Sequence, residues 1–146
     1  GIDVSHYDGA INWRTVKVSG HGSFAYIKAQ DGEHTYDSYF TANRTGASAA
    51  GVPWGPYLFF RPYSVFSAKI QATSFWDTIK GTGYSLTPVV DVEVYENAHT
   101  SVELRADLQA FCDLFQQLSG VKPVIYTYTS FITENALASH FSGYKL

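Results

Sequence analysis

A single cysteine, Cys112, in 146 residues rules out a disulfide within the chain. Its place in an apolar helical pattern reads as a small buried hydrophobe. The five histidines, His6, His21, His34, His99 and His140, fall into no HxxxH or Cys/His spacing, so a zinc site would need ligands gathered from distant positions and no metal is expected. Charge is scarce at 16% of residues, the formal net charge is −3, and no run of Lys and Arg is present to follow a phosphate backbone, which excludes nucleic acid as a partner. No stretch approaches the roughly 20 apolar residues of a membrane-spanning helix, and no basic-then-apolar segment opens the chain. No GxGxxG or GxxxxGKS/T follows any strand-like segment, which removes the main reason to expect a nucleotide-binding open sheet.

What is abundant is aromatic surface, with 11 Tyr, 10 Phe and 3 Trp, a composition that leans towards a cleft for carbohydrate or another polymer. The length suits one domain with one core. Along it the hydrophobic period switches repeatedly between two and 3.6. Residues 2–5, 23–30, 55–60, 89–94 and 123–127 read as strands, and 12–18, 38–50, 64–80, 100–119 and 130–140 as helices. The helix beginning at Thr100 opens with capping-box spacing to Glu103, repeats Leu104, Leu108, Phe111, Phe115 and Leu118, and stops at Gly120. Five successive β/α units predict an α/β fold, either a barrel or an open sheet, and the missing phosphate loops favour the barrel.

In such folds chemistry gathers at the C-terminal ends of the strands, where Asp3, Asp91 and Glu93 fall. Asp91 and Glu93 are two apart in a Val-rich run and are expected on one face of one strand. Placing both acids there is costly unless protons, partners or substrate relieve it. Either they act together, or Glu93 lies past the strand end and Asp91 caps a neighbouring turn. Cleavage of a glycosidic bond needs one carboxyl that keeps its proton and one that stays ionised. Repulsion from Asp91 and Asp3 should raise whichever acid is least solvated, and Glu93 is taken as that group.

The segments GIDVSHYDG (1–9), YIKA (26–29), GPYLFFRP (55–62), PVVDVE (88–93) and PVIYT (123–127) together resemble glycoside hydrolase family 25, the Chalaropsis-type lysozymes, from residue 1 to 146. The resemblance implies one catalytic domain, a β/α barrel of five β/α units followed by three strands, here truncated after the fifth unit. It implies an N-acetylmuramidase acting on the β-1,4 bond between N-acetylmuramic acid and N-acetylglucosamine of peptidoglycan, outside the cell or at its wall, with retention through the substrate's own acetamide and no cofactor. Glu93 would be the general acid and Asp91 and Asp3 the stabilising carboxylates. Tyr57, Tyr126 and Lys28 would contact substrate. Arg61, at a strand exit, reads instead as the partner of an acid. Asp8 departs from the amide common in relatives and adds negative charge near Asp3. A further chain segment or a second chain is expected to complete the barrel. The competing readings are a wall-binding module without turnover, for which Glu93 has no use, and a barrel acting on phosphorylated metabolites, for which no glycine-rich anion site is visible.

Overall fold

The computed structural model describes residues 1–20, 22–96 and 100–146; His21 and His99 lie outside them. Strands and helices alternate from the first residues: β1 (Ile2–Val4), a 3-10 turn (His6–Asp8), α1 (Trp13–Val18), β2 (Ala25–Asp31), β3 (Thr35–Tyr36), α2 (Phe40–Ala49), β4 (Trp54–Phe59), α3 (Val65–Ile79), β5 (Val89–Asp91), α4 (Ser101–Ser119), β6 (Val124–Tyr126), α5 (Thr129–Glu134) and α6 (Leu137–His140). Side-chain caps open α1, α3 and α4, the last of them as the sequence predicts. Asn12 accepts from the Thr15 amide, Ser64 from Ser67, and Thr100 and Glu103 form a reciprocal capping box. Gly120, at φ 79°, closes α4 in the left-handed conformation a side chain would resist.

The strands pair in parallel in the order β1-β2-β4-β5-β6, with β3 added antiparallel to β2. Strand order thus follows chain order, and right-handed crossovers between successive neighbours carry their helices to the same side. The two faces of the sheet consequently differ. Towards the helices point Val4 and Ile27, paired in register, and Leu58, Val90 and Ile125, paired likewise. All five are buried. Towards the other face point Asp3 beside Tyr26, Lys28 beside Tyr57, and the row Asp31, Phe59, Asp91, Tyr126. A one-residue irregularity between Lys28 and Gln30 resets the alternation of β2, so that Lys28 and Asp31 share this second face.

The core lies between sheet and helices. Phe111 of α4 stands at its centre, with ring centroids 5.5 Å from Phe60, 6.4 Å from Phe75 and 5.9 Å from Phe115. Phe111→Ala should cost about 3–5 kcal/mol by removing those contacts and leaving a cavity, read as a lower midpoint in urea unfolding. Between α1 and α2 the approach is close enough that a Cβ on Gly46 would stand 2.3 Å from Trp13 Cδ1, which accounts for a glycine inside a helix.

Four details differ from the sequence expectation. β5 ends at Asp91 rather than residue 94, because neighbouring β4 stops at Phe59 and β6 at Tyr126 and little remains to pair with. The fifth helix is broken into α5 and α6 at Ala136, whose φ is 50°. β3 was not expected, and Leu118, assigned to the core face of α4, is exposed. The parallel α/β sheet agrees with the expected class. β1 and β6 form its two edges, with no pairing between them among the described residues, and the Ile125 amide donates to the Lys145 carbonyl at 2.9 Å.

Candidate active site

The face of the sheet turned away from the helices encloses a cavity of about 390 Å³, lined by Asp3, Tyr26, Tyr57, Asp91, Tyr126 and Leu146 among others. A larger groove of about 720 Å³ lies on the outer side of α3 and α4 and holds one carboxylate, Asp113. Of the candidate acids, Asp3 and Asp91 line the smaller space. Asp3 is exposed on β1. Asp91 is the last residue of β5, and its backbone is fixed on both sides. Its carbonyl accepts from the Phe60 amide at 2.8 Å, and the next amide, Val92, donates to the Tyr126 carbonyl at 2.9 Å. Val90 and Val92 are fully buried in the core, so period-two geometry turns Asp91 and Glu93 together to the opposite side. Glu93 stands past the end of β5, as the competing reading had it, and its charge still acts on Asp91.

The most desolvated of the three acids is Asp91, contrary to the expectation for Glu93. Burial pushes its carboxyl up to about 7, the charge of Glu93 adds to this, Asp3 and Asp31 add further, and Lys28 opposes. The cause is positional: Asp91 lies within the ladder, flanked by Phe59 and Tyr126, while Glu93 has left it. Its Oδ1 is buried and accepts no hydrogen bond among the described residues, which leaves it in need of a donor.

Tyr57 lies at the cavity wall with its hydroxyl held far above the ordinary phenol range, by burial first and then by Asp3, Asp91, Asp37 and Asp8. It therefore remains a hydrogen-bond donor at any physiological pH. Tyr126 is 55% exposed, and partial desolvation together with Glu93, Asp3 and Asp91 raises it as well. Lys28 also reaches the site, but its ammonium is buried, donates to Asp31 at 2.9 Å and sits 5.0 Å from the centre of the Phe59 ring. It is engaged by protein groups and acts on Asp91 through its charge.

Asp31, Asp37 and Glu96 carry no sequence motif of their own. Asp31 accepts from Lys28 and, at 2.7 Å, from Arg61 Nε, while Arg61 Nη1 donates to Glu96 at 2.6 Å. Burial alone would raise Asp31, but the bonds from Arg61 and Lys28 outweigh it and hold the carboxyl below its usual range. The reading of Arg61 as an ion-pair partner holds, with two acids in place of one. Asp31, one residue beyond the strand end expected from the sequence, ends β2 as Asp91 ends β5, and nothing in the sequence pointed to Glu96. The turn after β1 is held by buried Asp37, which accepts from the His6 amide at 3.0 Å and lies 2.7 Å from His6 Nδ1. Asp8 closes the same turn by accepting from the Ser5 amide at 2.8 Å, so its charge has a structural use. Among the described residues no group of three or more His, Cys, Asp or Glu is arranged to hold a metal ion.

A cavity lined by Asp3, Asp91 and phenol donors, with Glu93 near enough for its charge to act on Asp91, can donate a proton, balance a developing positive charge and orient a polyhydroxylated ligand. A sequence model of glycosyl hydrolases family 25 matches residues 2–146. YegX, an uncharacterised protein of Escherichia coli, is 36% identical over 99% of this chain and 53% of its own length. A lysozyme of Streptomyces globisporus is 46% identical over 64% of this chain and 32% of its own. The crystal structure of the bacterial lysozyme from Streptomyces coelicolor superposes with a TM-score of 0.85 at 34% identity, covering 99% of this chain and 70% of that one. The chain spans about half the length of YegX.

Proposed function

The chain belongs to glycosyl hydrolases family 25, and on that premise we propose that it is a peptidoglycan muramidase, cleaving the β-1,4 bond between N-acetylmuramic acid and N-acetylglucosamine with retention. The observation that carries the reading is the arrangement of Asp91 and Glu93 on one face, with Asp91 lining the cavity and its buried Oδ1 without a donor among the described residues. Glu93 gives its proton to the glycosidic oxygen as the bond to C1 breaks. The acetamide oxygen of the same sugar attacks C1 and forms a cyclic oxazolinium. Asp91 accepts the acetamide N–H, aligning the oxygen and balancing the positive charge. Water then opens the ring at C1, giving its proton to Glu93 and restoring the starting state.

The charge of Glu93 helps to raise the Asp91 carboxyl. An incoming N–H donor favours the ionised form of Asp91 and so selects the arrangement the first step requires. Asp3, Tyr57 and Tyr126 line the same space and hydrogen-bond the sugar, with the two phenols as donors. Lys28 keeps its pairing with Asp31 and moderates the charge of Asp91. No metal or cofactor takes part. The work is done at the wall, outside the cell membrane, on glycan strands rather than on lipid or nucleic acid.

The same reading extends the sheet to a β/α barrel, with the face bearing the acids as its interior and three further strands, from a further chain segment or a second chain, closing it. The coverage of YegX and of the Streptomyces coelicolor structure supports this. Digestion of purified peptidoglycan in the presence of a chelator, followed by mass spectrometry of the new reducing ends, tests the activity. N-acetylmuramic acid ends are expected; N-acetylglucosamine ends, or binding to the wall without any new ends, would overturn it.

A further inference from the structure

We propose that Arg61 is a positioning residue that ties the Glu93 segment to the β2 edge of the site and so fixes the distance between Glu93 and Asp91. The inference rests on the muramidase reading for its kinetic part only. Beyond Val92 the sheet no longer holds the chain, and Glu93 stands in a segment that is neither strand nor helix. Three residues further on, Glu96 accepts from Arg61 Nη1 at 2.6 Å. The other side of the segment is pinned as well: Tyr95 donates its hydroxyl to Asn135 Oδ1 at 2.5 Å and packs on Phe131 with ring centroids 5.0 Å apart. Asn135 is fully buried and donates to the Phe131 carbonyl at 3.0 Å. Glu93 is thus set by anchors that lie after it in the chain.

Arg61 is itself built into the fold. Its amide donates to Gln71 Oε1 at 3.1 Å, and Gln71 Nε2 donates back to the Arg61 carbonyl at 2.6 Å and to Ser67 Oγ at 3.1 Å. Gln71 is fully buried in α3. The guanidinium lies 4.7 Å from the centre of the Phe59 ring, and Phe59 is the register neighbour of Asp91. Through Nε and Nη2, 2.7 and 3.4 Å from the two Asp31 oxygens, it also holds the carboxylate that orders Lys28. One planar group therefore joins the exits of β2 and β4 to the segment that carries the acid. An ammonium cannot reproduce this fork, because it has no fixed set of diverging donors.

The groups whose charges act on Asp91 are Glu93, Lys28, Asp3 and Asp31. Removing Arg61 leaves Asp31 with Lys28 alone and frees Glu96, adding negative potential around Asp91. Arg61→Met, which keeps the apolar stem, is expected to lower kcat by about 10- to 100-fold with KM changed by less than about threefold, and to move the Asp91 midpoint upwards in a carboxyl NMR titration. Arg61→Lys should return the midpoint towards wild type without restoring kcat. Glu96→Gln, which spares the Arg61–Asp31 pair, should lower kcat in the same way and covers the case in which Arg61→Met fails to fold. Unchanged kcat in a folded Arg61→Met or Glu96→Gln protein overturns the proposal. If wild type cleaves no glycan, the muramidase reading falls while the titration still decides whether Arg61 sets the charge at Asp91; an unmoved midpoint rejects that too.

Discussion

Glu93→Gln should lower the rate of glycan cleavage by about 10²- to 10⁴-fold, the usual worth of a general acid, while the circular dichroism and melting temperature stay close to wild type. The amide has nearly the size and shape of the carboxyl, and Glu93 stands outside the strand ladder and the apolar core, so little packing depends on it. What is lost is the proton for the leaving oxygen. A second effect follows from the same change. The Glu93 charge is the largest contributor after burial to the raised carboxyl of Asp91, so the Asp91 midpoint should fall in the variant, visible by NMR titration. Reducing-end release unchanged from wild type would remove Glu93 from the chemistry.

Asp91→Asn should show opposite effects on function and stability: a loss of cleavage of about 10²- to 10³-fold together with a more stable fold at alkaline pH. The folded carboxyl is raised from 3.8 to about 7. Between those values the folded chain keeps a proton that the unfolded chain has released. The contribution is therefore fully present below about pH 4 and is lost as pH rises through 7, where the buried group must ionise. At pH 8 wild type carries a penalty on the order of 2–4 kcal/mol, which the neutral amide lacks. Urea unfolding of both proteins at pH 5 and pH 8 measures it: the variant should gain at pH 8 relative to pH 5. An equal difference at the two pH values would mean that Asp91 is not strained by its charge. An active site that is costly to hold in its ionised form is a common exchange of stability for function.

The parts of the site that were legible in the sequence were those governed by local periodicity. Asp91 and Glu93 could be placed on one face because Val90 and Val92 occupy the other, and period-two alternation survives the end of the hydrogen-bonded strand. Asp3 was readable as a residue at the end of a short strand, since that needs only the hydrophobic run and its terminator, whereas Tyr57 and Tyr126 came forward as site residues only through the family resemblance. The assignment of the desolvated acid to Glu93 failed because burial depends on neighbouring strands: Phe59 and Tyr126 flank Asp91, and nothing in the local run shows where those strands stop. Asp31 was hidden by the irregularity at Ala29 and Gln30, which resets the alternation. Glu96 and Asn135 were hidden because each acts across about 35–40 positions of chain. The break at Ala136 had no glycine or proline to announce it; the buried Asn135 side chain, bonded to Tyr95 and to the Phe131 carbonyl, accompanies the left-handed residue there.

The agreement between strand order and chain order has a consequence for how the molecule comes into being during synthesis. Each emerging β/α unit finds one sheet neighbour already made, so the sheet can grow outward from its first strand as the ribosome delivers the rest, without waiting for a distant segment. The polar face is then laid down in sequence. Asp3 arrives first, Lys28 and Asp31 next, Arg61 after them, and only then Asp91 and Glu93. The acid that is hardest to bury is added to a surface where its positive neighbours are already seated, and the nascent chain need not carry an uncompensated carboxylate cluster while it waits for its partners.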